Sequence, residues 1–416
     1  MKRTKIFIKS FCIVLTVLCA GLFTAAFILN DKLPSDYRMY EGKAVSLDAS
    51  LPVTVVYNNN YSEVNKSSVP KISGENYNVK LKLFGFFPIK SATVNVIDEM
   101  YVSVLGQPFG IKIYSEGVMV VGTTDVDTAT GLVNPGVSAG IQKGDIIISI
   151  NGISVKSNGD VAKIIEDSAG QKQIFLIRRN DKEQKIPVIP QLSVVENKYK
   201  VGIWVRDSSA GIGTLTFYSP NNSVVCGLGH GICDSDTGEV IPLNSGQLVN
   251  AEILSVVKGK AGSPGELRGR FTNGTIADLM INDITGVYGV AKTEFPATNL
   301  VPIALKQEVK SGPAQILTTI DGGKPQYFVC EIDKVHYNDD GLIQNMVIKI
   351  TDPVLLEKTG GIVQGMSGSP ILQEGKLVGA VTHVFVNDSM KGYGIFAENM
   401  FNSSKFDIDE KQKKVS

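Results

Sequence analysis

The segment Gly365-Met366-Ser367-Gly368-Ser369-Pro370 places two serines among glycines and a proline. These are ordinary turn residues, so the plain interpretation is a turn that joins two strands. The other interpretation is a tight turn that presents a serine hydroxyl as a nucleophile. Such a hydroxyl is inert near neutral pH, and it needs both a base that takes its proton and N–H donors that bind the developing oxyanion.

A candidate base is present among the three histidines of the chain, which are His230, His336 and His383. His230 lies in a Gly-His-Gly segment directly after an apolar, strand-like stretch. Chymotrypsin-like proteases carry the same Gly-x-Ser-Gly-x-Pro pattern, place their base where a strand of the first barrel turns into a loop, and have histidine before serine in the chain. We therefore predict His230 as the base. We interpret His336 and His383 as structural, although His383 follows the strand expected to line the cleft, so a role in specificity stays open.

Two serines compete for the role of nucleophile. In a Gly-x-Ser-Gly turn the first serine is backed by its own N–H and by the N–H two residues earlier, which selects Ser367, with Gly365 and Ser367 as the oxyanion hole. Ser369 precedes Pro370 and is expected to pack or to bond locally. Met366 occupies the position at which secreted trypsin relatives have an aspartate that pairs with a newly cut N-terminus. Methionine cannot form that ion pair, so activation needs another route.

The composition favours a mainly β chain with more than one domain. The 416 residues suffice for two or three domains, and 42 glycines with a single tryptophan fit many short strands joined by turns. Lys plus Arg (41) balances Asp plus Glu (41), so the net charge gives no sign of a nucleic-acid partner. Cys226, His230 and Cys233 could also be metal ligands, but their spacing matches no standard zinc pattern and a fourth ligand is not evident.

Residues 1–30 are typical of a membrane anchor. The run 11–29 is almost wholly apolar and approaches the roughly 20 residues that span a bilayer. Four basic residues precede it: Lys2, Arg3, Lys5 and Lys9. This flank is expected to stay in the cytoplasm, which places the remaining chain outside. A cleaved signal peptide is the competing interpretation because Thr24-Ala25-Ala26 lie near the end of the run, but the length of the run favours the anchor.

Two regions precede the serine and histidine motifs. Residues 31–105 have the alternating apolar pattern of short strands, as in Val79 to Leu83, and predict a small β-rich region without recognisable chemistry. Residues 106–190 resemble a bacterial PDZ domain over their whole length, with Gly144-Asp145 turning into a buried strand. A helix is expected there from Asp160 to about Asp167, capped by Asn158 or Asp160.

A peptide-binding site follows from the start of the PDZ-like region. Gly110 would let a loop present free backbone N–H groups to a terminal carboxylate, and the following strand would offer an edge to an extended peptide. We therefore predict Phe109, Gly110 and Ile111 as the peptide-binding residues. The alternative is that this domain is only a spacer.

The motifs together resemble one family. The apolar anchor, the PDZ-like region and a domain at 191–416 with Gly-His-Gly-Ile and Gly-Met-Ser-Gly-Ser-Pro segments are similar to the stage IV sporulation protein B family of signalling serine peptidases, peptidase family S55. The resemblance covers nearly the whole chain and is most specific from Val363 to Val386. It implies a chymotrypsin-like double β-barrel and a serine endopeptidase that uses no metal and no cofactor.

The resemblance also implies a biological role in endospore-forming bacteria. Family members work between the mother-cell and forespore membranes, cleave a membrane-bound regulator that holds an intramembrane protease inactive, and thereby release a late sigma factor. They also cleave themselves. The implied partners are this protein substrate, a peptide ligand of the PDZ domain and the membrane. The alternative is a membrane-tethered PDZ adaptor whose protease-like domain binds without cleaving.

Carried over residue by residue, the resemblance implies Ser367 as nucleophile, His230 as base and Asp352, in Thr-Asp-Pro, as the acid. Chymotrypsin does not keep its acid so shortly before the serine, and residue order alone favours Asp283. Either carboxylate could hold His230 in the correct tautomer and stabilise its charged form.

Overall fold

The protein is mainly β, as predicted, and the computed structural model describes residues 2–45, 47, 52–57, 73–180, 182–295, 300–337 and 343–406. Residues 407–416, at the end of the predicted protease domain, lie outside the described residues.

The N-terminal region combines one apolar helix with a small sheet. Helix α1 (Lys2–Lys32) contains the stretch Ser10–Asp31, which is long and apolar enough to cross a membrane. The sheet has the order β1-β4-β3-β2 and consists of β1 (Asp36–Tyr40), β2 (Val53–Tyr57), β3 (Asn76–Leu83) and β4 (Phe87–Ile97). The helix packs on this sheet, where the rings of Phe23 and Phe87 lie 5.2 Å apart, edge to face. The sheet therefore stands directly beside the apolar segment.

The chain then passes through a region of short strands and two helices. Its elements are β5 (Tyr101–Val104), β6 (Pro108–Thr123), β7 (Val126–Thr128), β8 (Gly131–Val133), α2 (Pro135–Ala139), β9 (Ile146–Ile150), β10 (Ile153–Ser154), α3 (Asn158–Asp167), β11 (Gln173–Arg179), β12 (Lys182–Val188), β13 (Gln191–Ser193) and β14 (Lys198–Lys200).

The remaining elements build most of two barrels. They are β15 (Ile203–Ser219), β16 (Val224–Gly227), β17 (Leu243–Val257), β18 (Glu266–Asp283), β19 (Gly286–Ala291), β20 (Val301–Pro302), a 3₁₀ turn (Lys306–Glu308), β21 (Gly312–Thr318), β22 (Gln326–Val335), β23 (Met346–Ile350), α4 (Pro353–Thr359), β24 (Pro370–Gln373), β25 (Lys376–Phe385), β26 (Asp388–Phe396) and α5 (Ala397–Ser403).

Both barrels are closed, which confirms the predicted double-barrel fold. The first has the strand order β6-β17-β18-β19-β16-β15 and closes because β15 also pairs with β6. The second has the order β21-β22-β23-β26-β25-β24. Each is filled by inward-facing apolar side chains, with Phe109 and Leu248 fully buried in the first and Ile348 and Ile371 fully buried in the second. Closure leaves both barrels without free strand edges.

Strands β6 and β15 each continue from the first barrel into a second group of strands in the same sheet. Their barrel halves pair from Pro108 with Thr214 to Tyr114 with Ser208, and their other halves pair from Met119 with Arg206 to Thr123 with Ile203. The second pair of halves joins β9, β11, β12, α2 and α3 around a separate apolar core that contains Val118, Ile147 and Phe175. The PDZ domain is therefore inserted between two strands of the first barrel. The sheet of this domain begins within β6 and ends within β15, whereas the boundaries predicted from the sequence were 106 and 190.

The structure corrects the peptide-binding site predicted at Phe109, Gly110 and Ile111. They lie inside the first barrel, where Gly110 pairs with Ile212 on one side and with Val249 on the other. Phe109 is fully buried, and a Cβ on Gly110 would lie 2.5 Å from the ring of Phe271. Both strand edges are occupied, so this segment offers no edge and no amides to a peptide.

The predicted PDZ helix is present as α3, with a different cap. Ser157 is the N-cap, its side chain accepts a hydrogen bond from the N–H of Asp160, and the Asp160 side chain accepts from the N–H of Ser157. This reciprocal arrangement is a capping box, which satisfies two otherwise unpaired amides at the helix start. Val161 and Ile165 are buried on the face that meets the sheet, as expected.

Candidate active site

The serine turn lies where the second barrel touches the first. Gly368 has a φ of +93°, and a Cβ there would lie 2.0 Å from the carbonyl oxygen of Thr214 and 2.5 Å from the N–H of Leu228. Only glycine fits so close to two backbone groups of the other barrel. The glycine after the serine thus lets the turn reach the interface between the barrels.

The two catalytic candidates line one pocket at this interface. Ser367 comes from the second barrel, His230 follows β16 of the first, and both contribute to the same lining together with Gly365, Thr382 and His383. Among the described residues, the lining contains apolar and small polar side chains and no Asp, Glu, Lys or Arg. The Oγ of Ser367 donates a hydrogen bond to the carbonyl oxygen of Thr382 at 2.7 Å.

The ring of His230 is oriented by a backbone carbonyl. Its Nδ1 lies 2.9 Å from the carbonyl oxygen of Gly231. Because a carbonyl only accepts, this bond assigns the proton to Nδ1 and leaves the lone pair of Nε2 to receive a proton. Burial lowers the pKa of His230, against the raising effect of this backbone bond. The ring is therefore held neutral in the tautomer that a general base needs.

The loop that carries His230 is fixed by Asn282, a residue that the sequence analysis did not single out. Its Oδ1 accepts from the N–H of Ile232 at 2.7 Å, and its Nδ2 donates to the carbonyls of Ile232 and Ile241 at 3.0 and 2.9 Å. One side chain thus ties the loop to the end of β18. Its local sequence does not indicate this role, because Ile232 and Ile241 are distant along the chain.

His383 packs against His230, with ring centroids 4.5 Å apart and planes tilted by 36°. One side of this residue remains exposed to solvent. Burial of the ring lowers the pKa of His383, and its closeness to the titratable ring of His230 lowers this pKa further. The sequence predicts a structural role for His383 and allows one in specificity, and the structure places it in the pocket beside His230.

The N–H groups of Gly365 and Ser367 are available for an oxyanion. In a planar trans peptide the N–H points opposite to the preceding carbonyl, so a bond to that carbonyl fixes the direction of the N–H. The carbonyl of Gln364 accepts from the N–H of Leu267 at 2.8 Å, and the carbonyl of Met366 accepts from the N–H of Ser369 at 2.9 Å. Within the described part of the chain, the N–H groups of Gly365 and Ser367 have no backbone acceptor of their own.

The structure does not bring Asp352 to the base. Asp352 is the N-cap of α4, where its Oδ1 accepts from the N–H groups of Val354 and Leu355 at 3.0 and 3.1 Å. Its Oδ2 accepts from the N–H of Val329 at 3.2 Å. The carboxylate is thus engaged by three backbone amides, and Asp352 does not line the pocket that contains His230.

Asp283 approaches the histidine loop with its backbone. Its carbonyl oxygen would lie 2.9 Å from a Cβ on Gly231, whereas its Oδ1 accepts from the N–H of Ile284 at 2.6 Å. In the described residues neither carboxylate bonds to His230, and the carbonyl of Gly231 takes the orienting position.

Ser369 and Met366 are both buried. The Oγ of Ser369 donates to the Oγ1 of Thr318 at 2.9 Å, which agrees with the expectation that it bonds locally. Met366 is fully buried in the core of the second barrel. Its position is thus held by packing, where an aspartate would be held by an ion pair.

The metal-site interpretation of Cys226, His230 and Cys233 has no geometric support. Cys226 is fully buried in an apolar cluster, whereas the Sγ of Cys233 lies in the pocket wall, 3.7 Å from the carbonyl oxygen of Gly231. In the described part of the chain, no group of three or more His, Cys, Asp or Glu side chains is placed to hold a metal ion.

Comparison with known families matches two parts of the chain. Residues 197–401 match the SpoIVB peptidase S55 family, and residues 135–179 match a PDZ domain family. The first match contains every pocket residue from Ser209 to Val386, and the second contains α2, β9 and α3. The PDZ domain and the peptidase domain predicted from the sequence are thereby confirmed.

Curated relatives cover smaller parts. A putative zinc metalloprotease of Mesorhizobium japonicum is 32% identical over 114 residues, which are 26% of this chain and 29% of that protein. A probable protease of Enterococcus faecalis is 29% identical over 102 residues, 23% of each chain. The chain therefore spans less than a third of the length of these two relatives.

Solved structures are similar at low identity. The HtrA-type protease AlgW with a decapeptide covers 48% of this chain and 53% of its own, at 15% identity and a TM-score of 0.30. The active form of the Rv3671c protease from M. tuberculosis covers 47% and 72%, at 14% identity and a TM-score of 0.24. The PDZ domain of an SdrC-like protein from Listeria monocytogenes covers 22% and 87%, at 20% identity and a TM-score of 0.18.

Proposed function

We propose, from the premise that this chain belongs to the SpoIVB peptidase S55 family and is a serine peptidase, that Ser367 is its nucleophile and His230 its general base. Ser367 Oγ attacks the carbonyl carbon of the scissile peptide, and His230 takes the hydroxyl proton and passes it to the leaving amine nitrogen. Water then hydrolyses the acyl-enzyme with the same base. The N–H groups of Gly365 and Ser367 bind the oxyanion in both steps.

One observation supports this proposal most strongly. His230 and Ser367 come from different barrels and line one pocket. There the Nδ1 of His230 is bonded to a carbonyl, and two amides of the serine turn have no backbone acceptor among the residues that the structure describes. The Ser367 hydroxyl has to rotate from the Thr382 carbonyl toward His230 before attack.

The residue pattern and the geometry favour different groups as the third member of the catalytic triad, the group that orients His230. The family resemblance favours Asp352, whereas the geometry favours the carbonyl of Gly231, which already holds Nδ1. Asp352 would have to leave its three amides to reach the base. Its role as the acid stays a prediction, and substitution by asparagine tests it.

The proposed substrate is a membrane-bound regulatory protein. The apolar helix α1 would anchor the peptidase in the membrane with the catalytic part outside the cytoplasm, in the space between the mother-cell and forespore membranes. In line with the family resemblance, cleavage of the regulator would release an intramembrane protease and lead to activation of a late sigma factor in sporulation. Cleavage of the chain by itself, and its release from the membrane, belong to the same proposal.

The PDZ domain is proposed to bind a peptide at a different place from the one predicted. Its outer strand is the start of β15, Ile203–Arg206, which pairs with β6 on one side and has no strand partner on the other among the described residues. Gly202, with a φ of +71°, turns the chain into this strand, and α3 lies beside it, with the N–H of Asn158 bonded to Asp207 at 2.9 Å. A strand edge beside a helix accepts an extended peptide by added-strand pairing.

The catalytic assignment is tested with a fluorophosphonate that labels an activated serine. The full chain in detergent micelles is expected to be labelled, and Ser367→Ala and His230→Ala are each expected to abolish labelling and proteolysis. The double variant should cost little more than either single change, because members of a catalytic unit are not additive. Ser369→Ala is the matched control and should still be labelled.

Two outcomes would contradict the assignment. Labelling that survives in Ser367→Ala but is lost in Ser369→Ala would move the nucleophile to Ser369. If the wild-type chain is not labelled and does not cleave substrate, while its PDZ domain still binds peptide, the adaptor alternative is supported.

A further inference from the structure

Strand β15 of the first barrel forms hydrogen bonds with the serine turn of the second barrel. The N–H of Thr214 donates to the carbonyl oxygen of Ser367 at 2.9 Å, and the Oγ1 of Thr214 donates to the carbonyl oxygen of Gly365 at 2.8 Å. Two residues further along β15, the Oγ1 of Thr216 donates to the carbonyl oxygen of Gly368 at 2.8 Å. Thr214 is 1% exposed and Thr216 is fully buried, so water does not compete for these bonds.

The carbonyls that Thr214 holds belong to the two oxyanion residues. The peptide units before Gly365 and Ser367 are already fixed by the N–H groups of Leu267 and Ser369. Thr214 fixes the peptide units after the same two residues. Each oxyanion residue is therefore held on both sides, and the contact made by the Thr214 side chain comes from the barrel that also carries His230.

We propose that Thr214 is a positioning residue that sets the Gly365 and Ser367 amides at the correct distance from His230. This inference rests on the function proposed above for those amides. Thr214 joins two halves of a site that are built by different barrels, so its hydroxyl aligns the oxyanion hole with the base. An ordinary packing role would affect stability alone, whereas a positioning role affects the transition state more than substrate binding.

The test compares Thr214→Val, which keeps the shape and removes the hydroxyl, with Thr214→Ser, which keeps the hydroxyl. Thr319→Val is the matched control, because Thr319 is also buried and its Oγ1 donates to the carbonyl of Gly106 at 3.1 Å, in a contact that does not involve the serine turn. Hydrolysis of a peptide substrate is measured with the full chain, and the fraction folded is determined by urea unfolding.

Thr214→Val is expected to lower kcat by about tenfold or more with KM within about twofold, since loss of a direct oxyanion donor costs roughly 10²- to 10³-fold and this effect is indirect. Its affinity for a peptide boronate, which mimics the tetrahedral intermediate, should fall by the same factor as kcat. Thr214→Ser should recover kcat to within about threefold of wild type. Thr319→Val should keep both kcat and boronate affinity once corrected for the fraction folded.

The proposal is overturned if Thr214→Val keeps its kcat, if Thr214→Ser is as impaired as Thr214→Val, or if kcat and boronate affinity change by different factors. Should the valine variant not fold, Thr214→Cys keeps the volume with only a weak donor and is expected to show the same loss of kcat. Loss of labelling in Ser367→Ala confirms the nucleophile independently, so a failure of this inference is distinguishable from a failure of the proposed function.

Discussion

Replacement of Asp352 by asparagine and by alanine separates a helix cap from a catalytic acid. In the structure the carboxylate accepts three backbone hydrogen bonds, from Val354 and Leu355 at the start of α4 and from Val329 on β22. Asparagine keeps one oxygen for the two helix amides, whereas alanine loses all three bonds. Loss of an N-cap costs about 1 kcal/mol, up to about 2 kcal/mol, of stability.

We therefore expect Asp352→Ala to lower the free energy of unfolding by about 1 to 2 kcal/mol and Asp352→Asn to lower it by less. Turnover of the folded fraction should stay within about tenfold of wild type in both variants, because the carbonyl of Gly231 keeps the base in its tautomer. Urea unfolding measures the first quantity, and peptide hydrolysis at matched folded fraction measures the second.

If Asp352 is the catalytic acid, Asp352→Asn should lose turnover and keep its stability. An asparagine that faces the base stabilises the wrong tautomer, which lowers turnover by about 10⁴ while the fold is intact. Such a loss in Asp352→Asn, with unchanged unfolding, would refute the cap interpretation and assign Asp352 to His230. Asp283→Asn serves as the control, because the Asp283 side chain accepts a hydrogen bond from the next amide of its own turn and, in the described part of the chain, does not bond to His230.

Two further predictions concern pH and the PDZ edge. Because burial lowers the pKa of His230 and the base must be neutral, kcat/KM should fall on the acid side with a midpoint below the ordinary value of about 6.5. His383→Ala exposes the ring of His230 to water and should raise this midpoint. A wild-type midpoint above about 6.5, or a midpoint that His383→Ala lowers, would contradict this account. A peptide with an apolar C-terminus should change the fluorescence of Trp204, the single tryptophan, and raise turnover. Ile203→Glu should remove both effects, while Ser367 still reacts with a fluorophosphonate. If the Ile203→Glu variant responds to the peptide as the wild type does, the PDZ domain is a spacer.

Two elements of the fold show how far local sequence patterns reach. The serine turn depends on glycines at fixed positions, and Gly368 is required because two backbone groups of the other barrel lie within 2.5 Å of its missing Cβ. The PDZ helix depends on the spacing of Val161 and Ile165 and on a nearby cap. The spacing of the glycines and of the apolar helix residues is visible in the sequence. The contact of Gly368 with the other barrel is visible only in the fold, and the helix cap is Ser157 where Asn158 or Asp160 was predicted.

The misplaced peptide site shows where local patterns fail. Phe109-Gly110-Ile111 has the composition of a peptide-binding loop, but its role is decided by Ile212 and Val249, which pair with Gly110 from distant parts of the chain. No short-range signal shows that β6 continues into the barrel. Gly202-Ile203, at the start of β15, is a similar pair that lies at a strand edge, and only the pairing distinguishes the two.

The sequence around Asp352 fits a helix cap. An aspartate followed by Pro353 is typical of an N-cap with proline at the first helical position, and α4 begins exactly there. The resemblance to the family implies a catalytic acid at this position, whereas the local sequence predicts a cap. Asn282 gave no comparable signal, because its role depends on the loop at Ile232, which is distant in the sequence.

The insertion of the PDZ domain into the first barrel gives it a covalent path to the oxyanion hole. Met366 cannot form the ion pair that orders this turn in secreted trypsin relatives, so the turn is held by the burial of Met366 and by the carbonyl contacts of Thr214. Thr214 lies on the same strand as Ile203, at the PDZ edge. The strand changes register between these points, near Asp207, whose carboxylate binds the first amide of α3. A peptide that binds one position of the strand more tightly than another would therefore shift the equilibrium between two arrangements of Thr214 and the serine turn. The size of this shift is set by the difference between the two binding free energies.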